Sequence, residues 1–262
     1  MFDLRGKTAL VTGGTRGIGL AVACRFRDAG ANVAICARHP STDFEAKQLW
    51  FIAADLRQDV DVERAFGAAT ERMGPLDVVV LNAGAAFTDQ PQLDLEDPGT
   101  LSQALAANTA SVFYGLKAAA RAARDGGSII VTSSVAATLP FPGYMCYSSA
   151  KAALQPLVQH AAMKLGARAI RVNSISPGTI LTAMQPVDDL EARLAPLLNC
   201  LGRVGQPNDV IGAFHFLASD ESRFVTGIDL RVDGGWLGGL TVAQAETLAA
   251  ALDARRGNSP SD

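Results

Sequence analysis

Short apolar runs alternate with longer amphipathic stretches along most of this chain. The runs are rich in valine, isoleucine, leucine and alanine at successive positions, which is typical of strands buried on both faces. They predict strands at residues 8–12, 32–36, 49–53, 76–81, 128–132, 171–175 and 229–232. The stretches between them predict one helix ending near residue 29 and others at 60–73, 100–124, 147–165 and 207–218.

The alternation of strands and helices predicts the fold class. It indicates an α/β protein with a single Rossmann-type, doubly wound parallel sheet of about seven strands and helices on both faces. No internal repeat or linker marks a boundary, so we expect one domain over residues 1–256.

Four features of the chain depart from the regular pattern. The connection at 38–51 is near the minimum length for a parallel crossover and predicts a loop or a single turn. Pro156 should kink the helix that contains it, because it removes one helical hydrogen bond. Residues 236–256 form an extension in which apolar residues at helical spacing follow a candidate N-cap, Thr241. We expect residues 257–262 to be disordered.

Composition and charge exclude several kinds of partner. Hydrophobic residues make up 48% of the 262, and the formal net charge is −3, so neither nucleic acid nor an anionic membrane is expected. The start of the chain lacks the apolar segment of a signal peptide, and no apolar run reaches transmembrane length. We therefore expect a cytoplasmic protein.

The cysteines and histidines show no metal-ligand spacing. Cys24, Cys36, Cys146 and Cys200 include no Cys-x-x-Cys pair, which argues against a disulfide framework or a zinc site. A reduced protein without a bound metal is the prediction. Cys146 is interpreted as a small buried apolar residue, with a redox-sensitive thiol as the alternative.

A glycine-rich turn joins the first predicted strand to the first helix. Residues 13–19 are Gly-Gly-Thr-Arg-Gly-Ile-Gly. Glycines permit a tight turn and close approach of the backbone to a phosphate, and the free N–H groups of the following helix bind pyrophosphate. The turn therefore predicts a dinucleotide site, with a purely structural turn as the alternative.

A tyrosine and a lysine four residues apart share one face of the helix at 147–165. The pKa of a free phenol is about 10, and a nearby ammonium group lowers it by favouring the phenolate. Tyr147 and Lys151 are therefore predicted to donate and accept a proton near neutral pH. An ordinary surface pair is the alternative. It is less favoured because Ser134, at the end of a predicted buried strand, precedes the pair closely in the sequence.

Several separate motifs lie between residues 6 and 235. They are Thr12-Gly13-x-x-x-Gly17-x-Gly19, Asp55, Asn82-Ala83-Gly84, the tetrad Asn108, Ser134, Tyr147 and Lys151, and Pro177-Gly178-x-x-x-Thr182. Together they make this part of the chain similar to the short-chain dehydrogenase/reductase family. The chain resembles the NADP-preferring, Tyr-x-x-x-Lys members, including 3-oxoacyl carrier-protein reductase-like enzymes. The resemblance implies that residues 1–256 are a dinucleotide-binding and catalytic domain.

The resemblance also implies hydride transfer between a nicotinamide and a carbonyl or carbinol carbon. Tyr147 would donate the proton, Lys151 would lower the pKa of Tyr147 and bind the nicotinamide ribose, and Ser134 would position the substrate oxygen. Asn108 would hold a water molecule linking Lys151 to solvent. The expected cofactor contacts are Gly13, Thr15, Arg16, Gly17, Ile18, Gly19, Arg38, Asp55, Leu56, Asn82, Ala83, Gly84, Tyr147, Lys151, Pro177, Gly178, Ile180 and Thr182.

The end of the second strand predicts the cofactor preference. An NAD site usually places a carboxylate there for the ribose 2′-hydroxyl, whereas this chain has Ala37. Arg38 and Arg16 suit a 2′-phosphate, because guanidinium groups bind phosphate with paired hydrogen bonds. We therefore expect NADP(H) to be preferred over NAD(H). Stacking of Arg38 on adenine and a surface charge at Arg16 are the alternatives.

Substrate contacts are expected from residues 85–97, 135–145 and 179–201, the last of which predicts a partly helical lid. The candidate contacts are Ser134, Phe141, Tyr144, Tyr147 and Met184. These segments are rich in apolar residues and the lid is partly acidic, so we predict a fairly apolar, uncharged ketone or secondary alcohol. The alternatives are a 3-oxoacyl thioester and, in a different class, a non-catalytic dinucleotide-binding sensor.

The helices at 100–124 and 147–165 also predict an assembly. Both are rich in alanine and smaller apolar residues on more than one face, so each can pack against the sheet and a partner. Members of the resembled family use these two helices for dimer contact. We expect a homo-oligomer, namely a tetramer with twofold symmetry.

Overall fold

The predicted strands form one parallel sheet in the computed structural model, which describes residues 2–40, 47–90 and 92–257. They are β1 (Thr8–Thr12), β2 (Asn32–Ala37), β3 (Trp50–Ala53), β4 (Leu76–Leu81), β5 (Ala123–Thr132), β6 (Arg171–Pro177) and β7 (Asp229–Val232). Their spatial order is β3-β2-β1-β4-β5-β6-β7, and neighbouring strands are parallel. This order confirms the Rossmann-type doubly wound sheet.

Helices cover both faces of the sheet. The α-helices of the described residues are α1 (Gly17–Asp28), α2 (Asp59–Met73), α3 (Pro98–Leu105), α4 (Ser111–Ala122), α5 (Met145–Ala152), α6 (Leu154–Leu165), α7 (Leu190–Leu198), α8 (Pro207–Ala218) and α9 (Val242–Gly257). Buried side chains of α2, α4 and α6 form the core on one face, and those of α1 and α8 form it on the other. Among these residues no helix is both long and apolar enough to span a bilayer.

The strand order determines where a ligand can bind. The chain moves from β1 through β2 to β3 in one direction, then returns to β4 on the other side of β1. The helices that follow β1 and β4 therefore lie on opposite faces, and a crevice opens beyond the carboxyl ends of these strands. Gly13, Arg38, Asn82 and Ser134 follow the carboxyl ends of β1, β2, β4 and β5 at this edge of the sheet.

The helix predicted at 100–124 starts earlier and is irregular at its centre. It begins two residues sooner because the carboxylate of Asp97, its N-cap, accepts a hydrogen bond from the Gly99 N–H at 2.9 Å. A π turn at Ala106–Ala110, which contains Asn108, connects α3 to α4. The last two residues of the prediction were wrong, since they belong to β5. Such π turns are frequent at functional sites.

The kink predicted at Pro156 is present as a break between two helices. Helix α5 ends at Ala152, and α6 begins at Leu154. Pro156 has no N–H with which to bond the carbonyl of Ala152, so the helical ladder is interrupted there.

Two predicted irregular segments lie partly outside the described residues. The loop predicted after β2 includes residues 41–46, and the tail includes residues 258–262, so both stay predictions there. Helix α9 is present in the extension, and the Thr241 Oγ1 accepts a hydrogen bond from the Gln244 N–H at 3.2 Å. Gly257 is the last residue of α9 rather than part of a tail.

Phe214 belongs to α8, and its fully buried ring packs in the core that α8 and α1 form together. We expect Phe214→Ala to lower the free energy of unfolding by about 3–5 kcal/mol, because it removes apolar contact and leaves a cavity. Phe224, whose side chain is fully exposed, is the matched control, and Phe224→Ala should change the value by less than about 0.5 kcal/mol. Urea unfolding followed by circular dichroism measures both variants. Equal losses would contradict the placement of Phe214 in the core.

Candidate active site

A cleft of about 790 Å³ opens at the carboxyl ends of the strands. It brings together every singled-out site residue except Gly19, which is buried in α1 behind the glycine-rich turn. The predicted residues that line it are Gly13, Thr15, Arg16, Gly17, Ile18, Arg38, Asp55, Leu56, Asn82, Ala83, Gly84, Asn108, Ser134, Phe141, Tyr144, Tyr147, Lys151, Pro177, Gly178, Ile180, Thr182 and Met184.

The glycine-rich turn has the backbone and the space that a dinucleotide phosphate requires. Gly13 and Gly17 have φ angles of +66° and +54°, in the left-handed region that favours glycine. A Cβ atom on Gly19 would lie 2.4 Å from the Gly13 carbonyl oxygen, so only glycine lets α1 approach the turn. Arg16, the N-cap of α1, makes no side-chain capping bond, which leaves first-turn N–H groups for a phosphate. The turn therefore fits a nicotinamide dinucleotide.

One end of the cleft lies beside β2 and β3, where the adenosine ribose of a dinucleotide is predicted to bind; we call it the ribose end. It contains the predicted arginines and one further arginine. Ala37, Arg38 and Arg16 line this end. Arg57, which the sequence argument missed, donates hydrogen bonds to the two carboxylate oxygens of Asp55 at 2.9 and 2.6 Å. These bonds hold the pKa of Asp55 below its usual range. The Asp-x-Arg spacing was visible in the sequence, but only the turn after β3 shows that the two side chains meet.

Asn82 has a structural role in addition to its predicted contact with the cofactor. Its Nδ2 donates to the Thr12 carbonyl at 3.2 Å, and its Oδ1 accepts from the Thr132 Oγ1 at 3.2 Å. The side chain thereby links the ends of β1, β4 and β5. The turn that follows is packed closely, since a Cβ atom on Gly84 would lie 2.7 Å from the Asn108 Oδ1.

Tyr147 and Lys151 lie one turn apart in α5, as their spacing predicts. The Lys151 Nζ lies over the Tyr147 ring, 5.8 Å from its centroid. It also donates a hydrogen bond to the Thr132 carbonyl at 2.8 Å, and the residue is only 3% exposed. The ammonium group is therefore fixed by the end of β5 in a site shielded from water.

The prediction that Lys151 lowers the pKa of Tyr147 is wrong for this structure. Desolvation raises the pKa of Tyr147 to about 12, and hydrogen bonding to Ser134 only partly opposes the shift. Desolvation also lowers the pKa of Lys151 to about 8. Because the Lys151 Nζ lies over the ring and bonds Thr132 instead of the phenolic oxygen, it does not offset the burial. Tyr147 is therefore a neutral phenol at pH 7, which is the form that can donate a proton.

Ser134 and Asn108 complete the predicted tetrad in different surroundings. Ser134 follows β5, and its Oγ accepts a hydrogen bond from the Ala136 N–H at 3.1 Å. Asn108 is fully buried, and its Nδ2 donates to two backbone carbonyls at 2.9 and 3.1 Å. These bonds to backbone groups orient the Asn108 side chain. Its role in holding a water molecule stays a prediction.

An aromatic wall, formed by Tyr147, Tyr144, Phe141 and Trp236, extends from the candidate proton donor. Successive ring centroids along this wall are 6.3, 6.4 and 6.1 Å apart. Phe141 and Tyr144 were predicted substrate contacts, whereas Trp236 was missed because it follows β7, far away in the sequence. The wall offers an apolar surface to a substrate skeleton.

The segment predicted as a lid, residues 179–201, contains α7 and contacts the C-terminal extension. Met184 of this segment lines the cleft. The Gln244 side chain of α9 donates its Nε2 hydrogen to the Leu197 carbonyl in α7 at 2.6 Å. The extension therefore contacts the lid segment of its own chain.

Cys146 is buried beside two acidic residues. Burial raises the pKa of its thiol, which favours the buried apolar interpretation over a reactive thiol. One oxygen each of Asp89 and Glu96 lies within 4.8 Å of its Sγ, close enough for a metal site. The Asp89 carboxylate, however, accepts hydrogen bonds from the N–H groups of Met145 and Cys146, so it already caps the start of α5.

Comparisons with known proteins identify relatives of this chain. A family model described as Enoyl-(Acyl carrier protein) reductase matches residues 13–237. The sorbose reductase of Candida albicans is 34% identical over 253 residues, which cover 90% of this chain and 89% of that protein. An NADP-dependent (R)-specific alcohol dehydrogenase of Lentilactobacillus kefiri is 34% identical, with coverage of 89% and 97%. A crystal structure of a short chain dehydrogenase from Burkholderia cenocepacia in complex with NADP is 35% identical, with a TM-score of 0.84 and coverage of 90% and 99%.

Proposed function

This chain belongs to the short-chain dehydrogenase/reductase family and is an NAD(P)-dependent oxidoreductase, and we propose that it moves a hydride between NADPH and a fairly apolar ketone or secondary alcohol. The observation that carries this proposal is the meeting of Tyr147, Ser134 and Lys151 at one end of the aromatic wall. These groups can orient a carbonyl oxygen and supply its proton. A dinucleotide sensor would have no use for them.

The chain's own residues suit the proton side of the reaction. NADPH, when bound, supplies the hydride that reaches the carbonyl carbon. Ser134 donates a hydrogen bond to the substrate oxygen and fixes its position. Tyr147 donates its proton to that oxygen as negative charge develops there. Lys151, whose pKa of about 8 leaves it mostly charged at neutral pH, is placed to bind the nicotinamide ribose. In alcohol oxidation the deprotonated hydroxyl group of Tyr147 accepts the proton.

The preference for NADPH is supported by the charges at the ribose end of the cleft. Arg38 and Arg16 line this end, and Ala37 places no carboxylate against a 2′-phosphate. The alcohol dehydrogenase relative is described as NADP-dependent, and the Burkholderia cenocepacia structure contains NADP. Arg57 adds a third guanidinium group at this end, although Asp55 neutralises its charge.

The substrate proposal is supported by the aromatic wall and by the acidic lid. The wall favours an apolar carbon skeleton, and Asp188, Asp189 and Glu191 disfavour an anionic one. The description of the matching family model names an acyl carrier protein, as the alternative does, but with an enoyl group and not a 3-oxoacyl group. A phosphorylated carrier would, however, meet the acidic lid.

A substrate panel tests the proposal directly. We expect the purified protein to consume NADPH with free ketones, measured by the loss of nicotinamide absorbance. The panel includes one acetoacetyl thioester, and rapid turnover of that compound alone would favour the carrier-protein alternative. No consumption of NADPH or NADH with any carbonyl compound would contradict the proposed function.

A homotetramer and a cytoplasmic location complete the proposal. Helices α4 and α6, the predicted contact helices, expose Phe113 and Met163 by 51% and 68%. Large exposed apolar side chains on these helices support burial against a second copy. Light scattering at micromolar concentration should give four times the chain mass, and a monomer mass would contradict the assembly.

The four cysteines are unpaired, as a reducing compartment requires.

A further inference from the structure

Glu191, in the first turn of α7, places a carboxylate in the cleft, and no cationic side chain of the described residues forms an ion pair with it. Its Oε1 accepts a hydrogen bond from the Thr179 Oγ1 at 2.8 Å. Its other oxygen, Oε2, has neither a hydrogen-bond nor an ion-pair partner in the part of the chain that the structure describes. The side chain lines the same cleft as Tyr147 and Trp236. One acceptor oxygen is therefore available to a bound molecule.

The neighbouring carboxylate, Asp189, is already engaged. Its Oδ1 accepts from the Gln185 Nε2 at 2.6 Å and from the Glu191 N–H at 2.9 Å. Its Oδ2 accepts from the Tyr144 hydroxyl at 3.3 Å. Asp189 therefore holds the lid helix against the aromatic wall, whereas Glu191 retains an open hydrogen-bonding position.

The charge of Glu191 acts on the pKa of the candidate proton donor. Burial, together with the charge of Asp189, raises the pKa of the Glu191 carboxyl. The charge of Glu191 in turn contributes to the raised pKa of Tyr147. Because both side chains line the same cleft, a group that binds Glu191 can belong to the molecule whose carbonyl faces Tyr147.

We propose that Glu191 accepts a hydrogen bond from a hydroxyl group of the substrate, so that the enzyme selects hydroxylated ketones over the parent ketones. This inference rests on the proposed function and refines its substrate class. The carbon skeleton lies along Phe141 and Trp236, and the hydroxyl group faces the Glu191 Oε2. A ketone without that group leaves a partly buried carboxylate without its partner, which costs binding energy.

A neutral donor fits this position better than a charged one. An anionic group would be repelled by Glu191 and by Asp189 beside it. A cationic group would share the cleft with the buried ammonium of Lys151. A hydroxyl group can donate to Glu191 without either repulsion.

Matched cyclic ketones provide the test. Cyclohexanone, the isomeric hydroxycyclohexanones and an aminocyclohexanone are assayed with NADPH and the full-length protein. At least one hydroxylated isomer should have kcat/KM higher than cyclohexanone by roughly 10- to 100-fold, the range of a hydrogen bond to a charged group. Glu191→Leu should bring this ratio close to one, whereas Glu191→Gln, which keeps an acceptor oxygen, should retain part of it.

Thr179→Val is the matched control for the structural bond. It removes the hydrogen bond between Thr179 and Glu191 but leaves the carboxylate in the cleft, so the ratio should persist. Circular dichroism confirms that each variant is folded. The inference is overturned if the parent enzyme reduces cyclohexanone and all the hydroxycyclohexanones with equal kcat/KM. It is also overturned if Glu191→Leu keeps the ratio, or if the amino ketone is preferred. Absence of turnover with every ketone would instead remove the proposed function on which the inference rests.

Discussion

Tyr147→Phe is expected to lower kcat/KM for carbonyl reduction by roughly 10²- to 10⁴-fold, the usual contribution of a general acid. The substitution removes only the hydroxyl group that donates the proton and keeps the ring in the aromatic wall. Binding of NADPH, measured by titration of nicotinamide fluorescence, should change little. Kinetics with the best ketone of the substrate panel measure the loss.

Tyr144→Phe is the matched control for that experiment. It removes a hydroxyl group from the neighbouring ring of the same wall, where the bond to Asp189 is 3.3 Å long. We expect a much smaller loss, because the Tyr144 hydroxyl is engaged with Asp189 of the lid, whereas the Tyr147 hydroxyl is hydrogen-bonded to Ser134. If Tyr147→Phe retained half of the parent activity, another residue would have to be the proton donor.

The double variant Ala37→Asp with Arg38→Leu should reverse the cofactor preference. We expect the ratio of kcat/KM with NADPH to kcat/KM with NADH to fall by roughly 10²- to 10³-fold, because one charge-assisted bond is lost and one repulsion is added. The new carboxylate would accept from the ribose 2′-hydroxyl and repel a 2′-phosphate. Steady-state kinetics with both cofactors give the ratio.

Arg64→Leu controls for the simple loss of a positive charge near this edge of the sheet. The Arg64 guanidinium bonds the Ala53 carbonyl and Asp61, and it does not line the cleft. The ratio should therefore be unchanged in this variant. A parent enzyme that prefers NADH, or a double variant with the parent ratio, would contradict the assignment of Arg38 and Ala37.

Local sequence determined the elements of this protein and the turn that begins its dinucleotide site. Strands β1, β4 and β7 and helix α8 have the bounds that their apolar patterns predict. These patterns and the turn residues act over a few neighbouring positions, so they can be interpreted without the fold. The positive φ angles of Gly13 and Gly17 follow in the same way from a strand-to-helix turn that other residues adopt poorly.

The strand ends also allowed most of the cleft to be predicted before the structure. Parallel strands present their carboxyl ends at one edge, so Arg38, Asn82, Ser134 and Pro177 had to approach one another. Residues that come together only because of the path of a loop could not be predicted in this way. The pairing of Arg57 with Asp55 depends on side-chain direction, and Trp236 reaches Phe141 only because β7 lies beside β6.

Only the tertiary structure decided the electrostatics of the site. The sequence placed Lys151 on the same helical face as Tyr147 and suggested a lowered pKa for the phenol, whereas the structure raises it to about 12. The sign depends on how far water is excluded and on which atom the Lys151 ammonium faces, and both follow from packing around α5. The open oxygen of Glu191 has the same origin, because it depends on which neighbours the lid leaves unengaged. Spacing along a chain determines which groups can meet, but burial determines the charge they carry when they do.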